Sequence, residues 1–139
     1  MAAHAESHYC DNVVIRCMDF RFHARLGELL AAHFGVERFD YDSPGGCGGS
    51  KSIIDERPRE AIFQALDVAV PLHRTRRVII VDHVDCGAYG GSGKFGDARA
   101  EARFHAQRLR EAREIVHRSY PQLEVVLFYQ DRDGITLVE

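Results

Sequence analysis

Residues 78–87 read V-I-I-V-D-H-V-D-C-G, and this stretch restricts the fold more than any other. Four β-branched residues, Val78 to Val81, run without a break towards His83 and Cys86, and a glycine-rich loop follows. An apolar run with no polar alternation predicts a strand buried on both faces, the mark of a parallel sheet flanked by helices. In open α/β sheets, ligands sit just beyond the carboxyl ends of such strands. His83 and Cys86 fall at that end. H-x-x-C is a spacing at which an imidazole nitrogen and a thiolate converge on one metal ion.

The other elements fit the same plan. Asn12–Cys17 is expected as a first buried strand. A helix is expected from about Ala24 to His33, with Leu26, Leu29, Leu30 and His33 as its stripe, closed by Gly35. Val36–Asp42 reads as a second, less apolar strand, suited to a sheet edge. The glycine-rich segment Ser43–Lys51 predicts tight turns or close backbone approach. A helix begins near Asp55–Pro58, with Ile62, Ala65, Leu66 and Ala69 on its stripe. Arg77–Asp82 is the third strand, and Gly87–Gly96 a second glycine-rich loop. Asp97 is an N-cap for a long helix ending before Pro121, with Ala98, Ala102, Leu109, Ala112 and Val116 as its stripe. Leu123–Tyr129 is a fourth strand. Asp133-Gly134 turns the chain into a short return strand, Ile135–Val138.

Strands alternating with helices imply an α/β fold of three layers around a mostly parallel sheet. The expected order is 2-1-3-4, plus the antiparallel C-terminal strand. The switch point then lies between strands 1 and 3, which puts Cys17 beside His83 and Cys86.

A chain of 139 residues with 45% hydrophobic content suffices for one domain, expected to span 1–139. Its net charge of −3, with both signs interspersed, lacks the electrostatic footprint of a nucleic-acid binder. The start has no basic n-region or apolar core of a signal peptide, and no apolar run is long enough for a bilayer. A cytoplasmic location with no membrane partner is expected. Four cysteines, Cys10, Cys17, Cys47 and Cys86, are too few to staple a chain of this length, so metal binding, reactivity or burial is expected of them.

Cys17, His83 and Cys86 make a Cys2His set. Three protein ligands with an open fourth position is the pattern of catalytic zinc, and two thiolates select zinc over magnesium or calcium. Asp19 and Arg21 follow Cys17 at steps of two, so an extended segment shows all three on one side. An arginine beside an aspartate keeps it ionised and oriented.

C-M-D-F-R at Cys17–Arg21 and H-V-D-C-G at His83–Gly87 resemble the paired signatures of β-class carbonic anhydrases, C-x-D-x-R and H-x-x-C-G. The resemblance runs along most of the chain. It implies one zinc ion per chain on Cys17, His83 and Cys86, an Asp19–Arg21 catalytic dyad, and a zinc hydroxide that attacks carbon dioxide to give bicarbonate. It also implies a homodimer or larger homo-oligomer, and a closed state in which the aspartate takes the fourth zinc position. The chain departs from the family pattern in two places. Asp82 stands where relatives often have glycine, and S-P-G-G-C-G-G replaces a segment usually resembling R-N-A-G.

Rival readings attach to the same residues. Cys47 in the glycine-rich loop is a bystander thiol, a fourth ligand closing a non-catalytic site, or a redox sensor. Carbonyl sulfide or carbon disulfide could replace carbon dioxide as substrate. Asp82 reads as an acceptor for an imidazole or as a strand-end polar group, its side chain pointing away from His83; Asp85 reads as facing solvent, and His105 as a satisfied core histidine or a proton shuttle. G-G-S-G-K-F is not a phosphate loop, because Ala88 and Phe95 occupy positions that need glycine and Ser/Thr. The arginines of the long helix are expected to form a solvated or dimer-facing surface.

Overall fold

The computed structural model describes residues 7–42 and 48–139. Along the chain come β1 (Asn12–Ile15), α1 (His23–Phe34), β2 (Asp40–Asp42), α2 (Gly49–Ile54), α3 (Glu56–His73), β3 (Arg77–His83), α4 (Ala98–Ser119), β4 (Glu124–Gln130) and β5 (Ile135–Val138). The strands form one sheet in the order β2-β1-β3-β4-β5. β1 runs parallel to β2 and β3, β3 parallel to β4, and β5 antiparallel to β4. The expected order, with its antiparallel return strand, is what forms.

The unbroken apolar run of β3 is explained by two cores. Val78 and Ile80 face one side with Val13, Ile15, Val125 and Leu127, covered by Ile53 of α2, Ile62 and Leu66 of α3, and Leu109, Ala112 and Val116 of α4. Ile79 and Val81 face the other, with Val14 and Phe128, covered by Leu26 and Leu30 of α1. Each step along the strand changes face, so a strand covered on both sides must be apolar at every position. The helix ends are set locally. Gly35 closes α1 in the left-handed region at φ 70°, and the Asp97 side chain accepts the Ala100 N–H at 2.7 Å to start α4.

Three expectations need correction. β2 is only three residues long, because residues 36–39 make no ladder. The end of the glycine-rich segment is helical: Gly49–Ile54 forms α2. The core stripe of α4 is Glu101, His105, Leu109, Ala112 and Val116, while Ala98 is exposed and Ala102 half-buried. His105 is the core histidine expected, whereas Glu101 takes the core-facing position in the first turns that apolar periodicity assigns to Ala98 and Ala102.

Candidate metal centre

β1 and β3 lie side by side and end at the same edge of the sheet. Two residues beyond β1 stands Cys17, His83 closes β3, and a tight turn brings back Cys86. One ligand atom from each of the three residues lies within 4.8 Å of the others. The turn works because Asp85 adopts a left-handed backbone at φ 58°, a conformation that needs outside support in a residue other than glycine. Glu101 of α4 supplies it. This buried carboxylate accepts the Asp85 N–H at 2.8 Å and the Ser92 hydroxyl at 2.9 Å. The Ser92 N–H in turn donates to Asp85 Oδ1 at 2.8 Å.

The His83 ring is fixed on both sides. It stacks on Phe22 with centroids 4.5 Å apart, and Phe22 is held through its carbonyl oxygen by Gln130 Nε2. Its Nδ1 lies 2.7 Å from the Val84 carbonyl oxygen, so Nδ1 carries the proton and Nε2 is the lone-pair donor. That Nε2 is buried and has no hydrogen-bond partner among the described residues. A buried polar nitrogen without a partner is costly, and a metal ion would satisfy it.

Electrostatics agree with a cation at this corner. Cys86 beside it, and then His83, hold the Cys17 thiol well below its ordinary range against the effect of burial. The Cys17 sulfur and burial push the Cys86 thiol up. Burial works to lower the His83 pKa and is outweighed by the Cys17 sulfur and the Val84 carbonyl. Two soft sulfurs and one imidazole nitrogen, with negative charge to neutralise, fit zinc.

Asp19 and Arg21 stand beside the three. Arg21 donates Nε to both Asp19 oxygens and Nη2 to Asp19 Oδ2 at 2.7 Å, and the Arg21 backbone N–H donates to Oδ1 at 2.9 Å. These bonds, the Arg21 side chain first, hold the Asp19 carboxyl down at about 2. Asp19 Oδ2 lies 3.8 Å from His83 Nε2, so the carboxylate borders the metal corner. Arg21 has a second partner that the sequence did not suggest: Nη1 donates to Asp85 Oδ2 and Nη2 to the Asp85 carbonyl oxygen, both at 2.9 Å. Asp85 is therefore not a solvent-facing bystander. Met18 and Phe20, between these residues, are exposed.

A buried polar network lies behind the corner. Asp82 does point away from His83, but into the core rather than to a strand-end surface, and it is 1% exposed. It accepts the Ser50 N–H at 2.7 Å, the Ser50 hydroxyl at 2.7 Å and His105 Nδ1 at 2.6 Å. With Ser50 donating to Asp82, the Tyr89 hydroxyl donates to Ser50 at 2.7 Å. The network docks the start of α2 against the metal loop, which explains two glycines. A Cβ on Gly48 would lie 3.1 Å from Cys86 Sγ, and one on Gly49 would lie 2.1 Å from the Val81 carbonyl oxygen.

All five residues singled out in the sequence, Cys17, Asp19, Arg21, His83 and Cys86, meet at this corner. Cys47 lies outside the described residues, and Cys10, seven residues before Cys17, is a half-buried free cysteine whose Sγ donates to the Asn12 carbonyl oxygen. Asp85, Glu101 and Ser50 were missed. For Glu101 a signal existed: it stands one and two turns ahead of His105 and Leu109 on one helical face.

Residues 7–138 match the protein-family model described as "Putative carbonic anhydrase". Two curated relatives, each called an uncharacterized protein, come from Rickettsia bellii and Rickettsia conorii. Both are 28% identical over 129 residues, covering 88% of this chain and 77% and 68% of theirs. Among solved structures, the carbonic anhydrase of Streptococcus mutans superposes with a TM-score of 0.63 at 14% identity, over 99% of this chain and 88% of that one. The β-carbonic anhydrase CafA of Aspergillus fumigatus superposes with a TM-score of 0.60 at 14% identity, over 94% of this chain and 76% of that one. The fold is thus that of the β-carbonic anhydrases, and with residues 7–138 matched by the family model, this chain belongs to the family described as "Putative carbonic anhydrase".

Proposed function

We propose that this protein is a zinc-dependent carbonic anhydrase that interconverts carbon dioxide and bicarbonate. The observation that carries the reading is the buried His83 Nε2, without a hydrogen-bond partner among the described residues, beside two cysteine sulfurs and an arginine-held carboxylate. Cys17, His83 and Cys86 would hold the zinc, which supplies a Lewis acid able to bring the pKa of a water to about 7.

The chain's own residues do the rest. Asp19 is kept ionised by Arg21, so it accepts a hydrogen bond from a water at the corner and never donates one. That bond turns the water's remaining lone pair towards the substrate. Arg21 stays cationic and in place because two carboxylates grip its fork. The exposed apolar side chains of Met18 and Phe20 beside the corner support a homodimer or larger homo-oligomer.

Oxygen-isotope exchange between labelled carbon dioxide and water tests the reading on zinc-loaded protein. Exchange that chelation abolishes and zinc restores is the expected result; no exchange from fully loaded protein would overturn it. Carbonyl sulfide and carbon disulfide, run in parallel, decide whether a related hydrolysis is the activity instead.

A further inference from the structure

A second concave site opens between the start of α4 and the β4–β5 edge. Its volume is about 440 Å³, within the range of small-molecule pockets. Ala102 and Ala106 of α4 form one apolar wall and Leu137 and Val138 of β5 the other, with Tyr129 and Val84 also lining it. Ala98 and Ala102, which fail to enter the core, both line this site.

Its polar lining comprises the donors Arg99, Arg103, Arg110 and Tyr129, the Thr136 hydroxyl, and the acidic Asp131 and Glu139. Arg99 and Arg103, one turn apart on α4, line the site and make no ion pair or hydrogen bond among the described residues. Tyr129 is only 8% exposed, and its hydroxyl likewise has no partner among them. Burial, then Glu101 and Asp131, push that phenol up, so it remains protonated and able to donate. The acidic side chains of the lining, Asp131 and Glu139, form no ion pair with Arg99 or Arg103. Asp131 Oδ1 accepts the N–H groups of Asp133 and Gly134, and the Glu139 carbonyl oxygen is held by Arg110.

We propose that this groove is a binding site for an organic carboxylate with an apolar tail, the carboxylate on Arg99 and Arg103 with Tyr129 donating, and the tail between the α4 alanines and Leu137. A guanidinium fork suits a planar carboxylate, and a phenol with no protein partner gains one. The site is separate from the metal corner, yet Val84 borders it and holds His83 through its carbonyl oxygen.

The test is an amide NMR titration of zinc-loaded protein with hexanoate, and with hexan-1-ol as the neutral counterpart. Hexanoate is expected to shift Ala102, Ala106, Thr136 and Leu137. Hexanol is expected to bind at least about tenfold more weakly. Arg99→Ser with Arg103→Ser, both exposed positions, should weaken hexanoate by about tenfold or more, and Tyr129→Phe by several-fold. Equal binding of hexanol, unchanged binding in the arginine variant, or shifts confined to residues around Cys17 and Cys86 would each overturn the assignment. So would the absence of shifts. None of these outcomes bears on carbon dioxide hydration.

Discussion

Replacing Gly49 by alanine isolates the contact that seats the glycine-rich segment under the metal loop. Taken as a helical residue, alanine should help by up to about 1 kcal/mol. The structure predicts the opposite sign. The new Cβ would lie 2.1 Å from the Val81 carbonyl oxygen, 2.9 Å from its carbon and 3.1 Å from the Ile15 carbonyl oxygen. The first of these is more than about 1 Å inside contact distance. All three atoms belong to central strands of the sheet and cannot withdraw. Helix α2 must move instead, and Ser50 then loses its two bonds to the buried Asp82 carboxylate. Hydrogen bonds to a charged group contribute about 1.5–3 kcal/mol each, so a net loss of about 3–5 kcal/mol is expected. In urea denaturation followed by far-ultraviolet circular dichroism, the midpoint should fall by roughly 1–3 M at an ordinary slope. Gly27→Ala is the control: within α1, its Cβ would meet only the Tyr41 hydroxyl at 3.4 Å, and the midpoint should hold or rise. An unchanged or raised midpoint in Gly49→Ala would refute the packing argument.

Other expectations follow from the same contacts. Asp82→Asn places an amide where three donors converge and should cost about 2–4 kcal/mol, read by thermal unfolding; a loss within experimental error would mean the network is dispensable. Glu101→Gln should speed hydrogen exchange at the Asp85 and Ser92 amides by about tenfold or more, with exchange in α1 unchanged, because the left-handed turn loses its charged acceptor. Uniform acceleration across the chain would instead indicate general destabilisation. Chelation of zinc-loaded protein should lower its melting temperature, since an ion bound by the native state alone stabilises that state; no shift on removing stoichiometric zinc would argue against a native Cys17–His83–Cys86 site. Arg21→Ala should leave zinc content unchanged while altering the visible spectrum of cobalt-substituted protein, because Asp19 loses the fork that restrains it beside the corner.

The sheet and the corner were legible because both rest on local, short-range signals. Val78–Val81 can only be a strand covered on two faces, and topology alone then brings Cys17 to His83 and Cys86. What escaped depends on contacts distant in sequence. Gly49–Ile54 has few apolar residues to mark a helix, and it is held by Asp82, which lies 32 positions on. Asp82 reads as a strand-end polar group or an acceptor for an imidazole, because nothing local shows that Ser50 and His105 will surround it. Asp85 gave no sign of gripping Arg21, since 64 residues separate them. The start of the α4 stripe was misplaced because Glu101 is a polar residue spent on the core, where its carboxylate props the turn before Cys86.

One zinc on the Cys17–His83–Cys86 corner is proposed to make the protein hydrate carbon dioxide. The most direct measurement is stopped-flow hydration during stepwise addition of zinc to metal-free protein. Activity should rise in proportion to bound zinc, level off at one ion per chain, and be lost with the zinc in Cys86→Ser. Zinc bound at one per chain without hydration, or hydration that persists in Cys86→Ser, would contradict it.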